Sequence, residues 1–436
     1  MAVFRPFPAI RPVKELADKV AALPYDVMNS MEAREIVKGN PYSFLHVDKA
    51  EIDLDPSVNL YDECVYRKAA SNLNHMIENH VYFKEEKPCY YIYRQIMDGR
   101  SQTGIVGCAS IDDYLENRIK KHELTVASKE EDRVRHVDIC NANTGPIFLT
   151  YRNRTEITKM LYRWMETHKT VYDFVSDDDI IHTVWVIDDE KIIHTLSELF
   201  VEVPEFYIAD GHHRTASAVR VGLKRRKEYP EYTGNEEFNY FLAVLFPDNE
   251  LSILDYNRVL KEWNGFTPET LMEKLQENFT IEKSEVGTFK PTKIHEMGMY
   301  MRGQWYRLNA KEGCFDKNNP VERLDVSILQ NKVLKPVFDI EDPRTDKRIA
   351  FVGGIRGLKE LEDMVDSGMS CAFAMYPTSV KDLMVIADTG NIMPPKSTWF
   401  EPKLRSGIFI HQLSNCYECD REHMAAWGQN ECSPCI

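Results

Sequence analysis

Two short segments concentrate the side chains that can move protons and hold anions. Asp210-Gly211-His212-His213-Arg214 sets a carboxylate, two imidazoles and a guanidinium around one glycine. Lys121-His122-Glu123-Leu124-Thr125 puts ammonium, imidazole, carboxylate and hydroxyl groups within one turn or loop. In the first segment Arg214 can fork onto phosphate oxygens, and Gly211 lets the backbone approach a ligand closely. In the second, Glu123 beside His122 can serve as a general base or as a metal ligand. Taken alone, each segment also reads as a connection carrying ordinary surface charge.

Three further clusters add to this inventory. Arg133-Val134-Arg135-His136 offers more cationic donors, and the polar, helix-unfriendly residues 141–145 after it read as a loop of the kind that holds ligands. The plain alternative is a loop salt-bridged to Glu130, Glu131 and Asp132. Pro394-Pro395-Lys396-Ser397-Thr398 has an ammonium, two hydroxyls and a pre-set backbone, the makings of an anion-binding loop. It lacks the GxxxxGK[ST] pattern, and Gly353-Gly354-Ile355-Arg356-Gly357 lacks the dinucleotide spacing, so no nucleotide motif is present. Cys416, Cys419, Cys432 and Cys435 form CxxC-x12-CxxC, a spacing that suits one tetrahedral structural Zn²⁺, with paired or free thiols as the alternative. His411 and His423 are reserve ligands for it.

The elements that must position these groups are legible in outline. Residues 206–209 suit a buried strand. Ala216, Val219 and Leu223 then recur at helical spacing, so the Asp210–Arg214 turn joins a strand to a helix N-terminus. The first helical amides lack intrahelical partners, and the dipole favours negative charge there. Residues 90–95 and 103–110 read as a hairpin about Met97-Asp98-Gly99-Arg100. Residues 42–47 look strand-like and carry Ser43 and His46, while Leu23-Pro24-Tyr25-Asp26 reads as loop. Helices are expected over 30–37, 61–79 and 155–167, and strands over 147–151, 182–187 and 240–246. Past about residue 264 the texture changes, giving a boundary near 265.

Composition sets the outer limits. A chain of 436 residues with 43% apolar and 28% charged content can bury a full core in two or three domains. The net charge of −15 disfavours a general nucleic-acid or anionic-membrane binder. No apolar run reaches membrane-spanning length, and the N-terminus lacks a signal-peptide core. Six scattered cysteines fit reduced thiols, hence a cytoplasmic protein.

Together these segments resemble a known family. Leu23-Pro24-Tyr25-Asp26-Val27, Asn40-Pro41-Tyr42-Ser43-Phe44-Leu45-His46-Val47, Lys121–Thr125, Arg135-His136-Val137-Asp138, the Asp210–Arg214 turn and residues 394–400 carry the likeness, which spans about residues 1–410. The chain is similar to a formerly uncharacterised family that includes pyrophosphate-dependent serine kinases. That family is itself distantly similar to ADP-dependent serine kinase in the ParB/sulfiredoxin-like superfamily. The resemblance implies a mixed α/β (α+β) fold, with a ParB/sulfiredoxin-like catalytic region over 1–265, a second α/β lobe over 266–410 and a cysteine-rich tail over 411–436. It implies phosphoryl transfer from pyrophosphate to the hydroxyl of L-serine, with Mg²⁺ as cofactor. It also implies Glu123 as base with His122 beside it, and Asp210 as second carboxylate or Mg²⁺ ligand. Gly211, His212, His213 and Arg214 would cradle phosphate, with Arg135, His136 and Lys396 as further contacts and Ser43 and His46 on serine or phosphate. The competing readings are an ADP- or ATP-dependent serine kinase and a ParB-like nucleotide- or nucleic-acid-binding protein without kinase activity. Redox chemistry like that of sulfiredoxin lacks its nucleophile, because His212 stands where the thiol would be. Oligomeric state is not readable from the sequence.

Overall fold

The computed structural model describes residues 1–285 and 287–414. The expected zinc ligands Cys416, Cys419, Cys432 and Cys435, and His423, lie outside them. His411 is described, and both its ring nitrogens are engaged, by Asn143 Oδ1 at 3.0 Å and Glu237 Oε2 at 2.7 Å.

Strand periodicity builds the principal sheet. Tyr90, Ile92, Ile105, Ile147 and Leu149 fall in one core cluster, and the intervening Tyr91, Tyr93, Val106 and Phe148 fall in another. That is the period of two of strands buried on both faces. Nine strands take part: β1 (Phe4–Arg5), β2 (Tyr90–Met97), β3 (Arg100–Ser110), β4 (Ile119–Lys120), β5 (Ile147–Tyr151), β6 (Tyr172–Val175), β7 (Ile181–Ile187), β8 (Phe206–Asp210) and β9 (Tyr240–Pro247). Their order is β4-β8-β5-β9-β3-β2-β7-β6, with β1 added to β3. The β8–β4 and β9–β5 pairs are parallel and the rest antiparallel. The β2–β3 hairpin turns through Asp98 (φ 51°) and Gly99 (φ 76°), two successive left-handed residues whose twist matches that of the strands.

Helices α1 (Glu63–Glu78), α2 (Ala127–Cys140), α3 (Thr155–Thr167), α4 (Glu190–Val201) and α5 (His212–Glu228) belong to this first region. Leu161 of α3, Phe200 of α4 and Val219 of α5 cover one face of the sheet. The other face shares its core with a second, six-stranded antiparallel sheet. That sheet is built from β10 (Tyr256–Leu260), β11 (Phe279–Lys283), β12 (Glu296–Met301), β13 (Gln304–Ala310), β14 (Ile349–Gly353) and β15 (Cys371–Ala374), in the order β11-β13-β12-β15-β10-β14. Its penultimate strand, β10, is drawn from before residue 265.

The chain then returns to the first region. Trp399–Phe400 pairs with Ile253–Leu254, Ser406 bridges to Ala22, Ile410 to Ile10, and His411–Gln412 pairs with Ala142–Asn143. This strap carries Lys403, Arg405 and Ser406 onto the principal sheet. The mixed α/β fold expected from the sequence is therefore observed.

One local expectation fails. Residues 42–47 are not a strand: Leu45–Asp48 forms a helical turn after the Asn40-Pro41-Tyr42 bend. Phe44, Leu45 and Val47 are all buried in one cluster with Val20, Ile52 and Leu73, so the buried apolar positions do not alternate as a strand's would. Arg133–His136 lies within α2, and the loop expected over 141–145 begins at left-handed Asn141 (φ 50°), which ends the helix.

Candidate active site

The strand–glycine–helix junction forms as its residues dictate. Gly211 sits at φ 93°, in the left-handed region that a side chain strains, and a Cβ there would stand 3.1 Å from Arg214 Nε. The α5 hydrogen-bond ladder starts with the Thr215 amide on the Gly211 carbonyl at 2.9 Å. The amides of His212, His213 and Arg214 are thus left without intrahelical acceptors at the positive end of a 17-residue helix. No acidic side chain occupies the first turn of α5 to satisfy them.

The Lys121–Thr125 segment, which follows β4, lies against this junction. The His122 and His212 rings meet edge-to-face with centroids 4.5 Å apart. Donor atoms of His122, Glu123 and His212 all lie within 4.8 Å of one another. Burial drives the His122 imidazole down to about 4, against the opposing pull of Asp210, and drives His212 well below the usual histidine range. His213 is also lowered, by burial and then Lys129, and its Nε2 accepts the Val126 amide at 3.0 Å. All three histidines are therefore neutral at pH 7. Burial raises Glu123 above the usual carboxylate range, with Lys396 pulling the other way. A raised carboxylate is a better proton acceptor near neutral pH.

Positive charge at the site comes from lysines and arginines. The Met393 amide donates to the His122 carbonyl at 2.8 Å, which clips the 393–398 loop to the Lys121–Thr125 segment. Within that loop Lys396 adopts φ 59°, and its carbonyl accepts Arg258 Nη2 at 3.0 Å. Arg214 donates to the Pro146 carbonyl at 2.5 Å, and among the described residues its buried Nε has no partner. Beside it opens a cleft lined by Tyr25, Asp48, Arg133, His136, Thr144 and Ser406. Arg133 stands 4.0 Å above the Tyr25 ring and pairs with Asp132 at 2.8 Å.

Asp210 is held by its neighbours. Its Oδ1 accepts the Gly211 amide at 2.8 Å and its Oδ2 pairs with Lys403 Nζ at 3.1 Å. Burial would raise its carboxyl, but Lys403 and Arg214 hold it far below the usual range. With both oxygens engaged it does not fit as an open ligand for the Mg²⁺ implied by the resemblance. Asp210's folded pKa lies below its unfolded value of about 3.9, so its stabilisation is fully present above about pH 4 and fades as pH falls towards the folded value. Lys403→Met should lower stability by roughly 1–3 kcal/mol at pH 7, a buried-pair loss discounted for the exposed part of Asp210. Thermal melts of both chains should show that gap closing progressively below about pH 4.

The structure gathers most of the expected residues and leaves three out. Glu123, His122, Asp210, Gly211, His212, His213, Arg214 and Lys396 share one site, and His136 lines the adjoining cleft. Arg135 turns away from it: its guanidinium lies 4.4 Å over Tyr66 and bonds the Tyr61 carbonyl at 2.6 Å. On α2 the residues at i and i+3, Arg133 and His136, share the cleft face, and i+2 cannot. Ser43 accepts the Leu45 amide at 3.4 Å, and His46 pairs with Asp53 at 2.8 Å, so neither lines the cleft. Sequence reasoning missed Lys403, Ser406 and Asp48, and marked Thr144 only as part of the ligand-holding 141–145 loop. Lys403 had no motif to mark it, since its partner lies 193 residues away.

The profile of the family described as protein of unknown function (DUF1015) matches residues 4–327, and the chain belongs to that family. Among curated proteins there is no match. Several solved structures are similar. A conserved hypothetical protein from Pyrococcus furiosus is 15% identical, covering 70% of this chain and 94% of its own, with a TM-score of 0.35. A free serine kinase in complex with AMP is 13% identical, covering 69% and 91%, at 0.34. C-terminally truncated SbnI from Staphylococcus aureus is 12% identical, covering 74% and 94%, at 0.38. Among the described residues no helix is long and apolar enough to cross a membrane.

Proposed function

We propose that this chain is a serine kinase that transfers a phosphoryl group from pyrophosphate to the hydroxyl of L-serine, giving O-phospho-L-serine and orthophosphate. One observation carries the reading. A carboxylate of raised proton affinity, Glu123, stands within 4.8 Å of His212, the first residue of a helix whose N-terminal amides are open to an anion. Phosphoryl transfer asks for little else: a positioned nucleophile, a proton acceptor and charge neutralisation around the moving phosphoryl group.

In this reading the α5 amides, Arg214 and Lys396 hold the donor, and the buried, unpartnered Arg214 Nε is the donor group left over for it. Arg133 and Thr144 extend the contact surface into the cleft. Glu123 takes the serine hydroxyl proton, the serine oxygen bonds to the terminal phosphorus, and the bridging P–O bond breaks to release orthophosphate. Asp210, locked by Lys403, positions the glycine turn and takes no proton. Magnesium belongs to the reaction as the counter-ion of a tetra-anionic donor, carried in on the pyrophosphate. The absence of a glycine-rich nucleotide loop favours the small donor over ADP or ATP.

The donor is tested by incubating purified chain with L-serine and Mg²⁺ and supplying pyrophosphate, ADP or ATP separately. Pyrophosphate should support O-phosphoserine formation at a kcat/KM at least about tenfold above either nucleotide, a margin of about 1.4 kcal/mol. Product with a nucleotide alone would replace the donor assignment.

A further inference from the structure

A second chemistry is built into the same pocket. Among the described residues, His122, Glu123 and His212 bring two imidazoles and a carboxylate to within 4.8 Å of one another. Donor atoms about 2.1 Å from a shared tetrahedral ion stand roughly 3.4 Å apart, so small side-chain rotations close the set. His122 is 1% exposed, and neither of its ring nitrogens makes a hydrogen bond of ordinary geometry. The Asp210 charge and, less strongly, the Ile208 backbone are the polar influences on it. His212 Nε2 has only a 3.5 Å contact from the His122 amide. Buried imidazole nitrogens without partners are costly and rare, and a ligand is one standard resolution.

We propose that His122, Glu123 and His212 bind a single late first-row divalent ion, of the Zn²⁺ and Co²⁺ class, leaving positions open for water. Two nitrogens and one carboxylate suit such an ion and suit Mg²⁺ poorly, since Mg²⁺ prefers an octahedron of oxygens. Held there, the ion takes the Glu123 lone pair. On the kinase reading above, it therefore blocks the base and inhibits turnover, with Mg²⁺ unable to replace it. The metal site itself does not depend on that reading.

The test uses the full chain carrying Cys416→Ser, Cys419→Ser, Cys432→Ser and Cys435→Ser, which removes the competing thiolates. Chelator-treated protein titrated with Co²⁺ should develop the visible ligand-field bands of a nitrogen and oxygen site, saturating at one ion per chain. Added Zn²⁺ should bleach them, and excess Mg²⁺ should not. His212→Ala and Glu123→Gln should each weaken Co²⁺ binding by about tenfold or more. If buried His212→Ala fails to fold by circular dichroism, the partly exposed Glu123→Gln decides the matter alone. No cobalt bands, or bands unchanged by Glu123→Gln in folded protein, would overturn the site. Cobalt binding without inhibition of phosphoserine formation would keep the site and sink its link to Glu123 as base. Absence of any kinase activity bears on the proposed function alone.

Discussion

Replacing Glu123 by Gln should lower kcat for phosphoserine formation by about 10²–10⁴-fold and leave the KM for pyrophosphate within about threefold. The substitution keeps shape and removes only the ability to accept a proton. Glu123 is poised for that task by burial, which raises its proton affinity, and by Lys396, which keeps it from rising too far. The pH profile gives the sign. A base must be ionised to act, so kcat/KM should climb as pH rises through the raised Glu123 pKa and then level. In Glu123→Gln that acidic limb should disappear. Steady-state kinetics between pH 5 and 9 read both effects. A mutant within about twofold of wild type would remove Glu123 from the chemistry.

Arg214→Ala should produce the second large loss, about 10²–10³ in kcat/KM, and here the KM for pyrophosphate should rise while that for serine stays put. The guanidinium is fixed by the Pro146 carbonyl at 2.5 Å and packs over the bare Gly211 and Gly145 backbones. Among the described residues its buried Nε has no acceptor. Arg214→Lys should recover only part of the activity, because one ammonium cannot reproduce a planar fork on phosphate oxygens. Equal losses in both KM values would instead point to a general collapse of the pocket.

What could be read from the sequence was whatever local chemistry dictates. The Asp210–Arg214 turn needed only an apolar strand, a glycine and helical spacing after it, and it forms as expected with Gly211 left-handed. The Thr155–Thr167 helix keeps its expected bounds because Ile157, Leu161 and Trp164 make one apolar stripe. The α2 helix was hidden because its buried face is polar, with Arg133 and His136 turned inward beside Val137. Hydrophobic periodicity cannot show a helix whose inner face is charged. Residues 42–47 failed for a different reason, since the run is too short for its buried positions 44, 45 and 47 to declare a period. Lys403 and Ser406 belong to neither case. They reach the site on a strap that returns after the second sheet is complete, so only the tertiary fold brings them to Asp210 and Gly145.

The carboxylate beside the open helix end is the centre of this account, and phosphorus NMR of a single reaction tests it most directly. With purified chain, L-serine, Mg²⁺ and pyrophosphate, the pyrophosphate signal should be replaced by one phosphomonoester and one orthophosphate signal of equal area, and only when serine is present. A pyrophosphate signal that persists, or one that converts wholly to orthophosphate with or without serine, would contradict transfer to the serine hydroxyl.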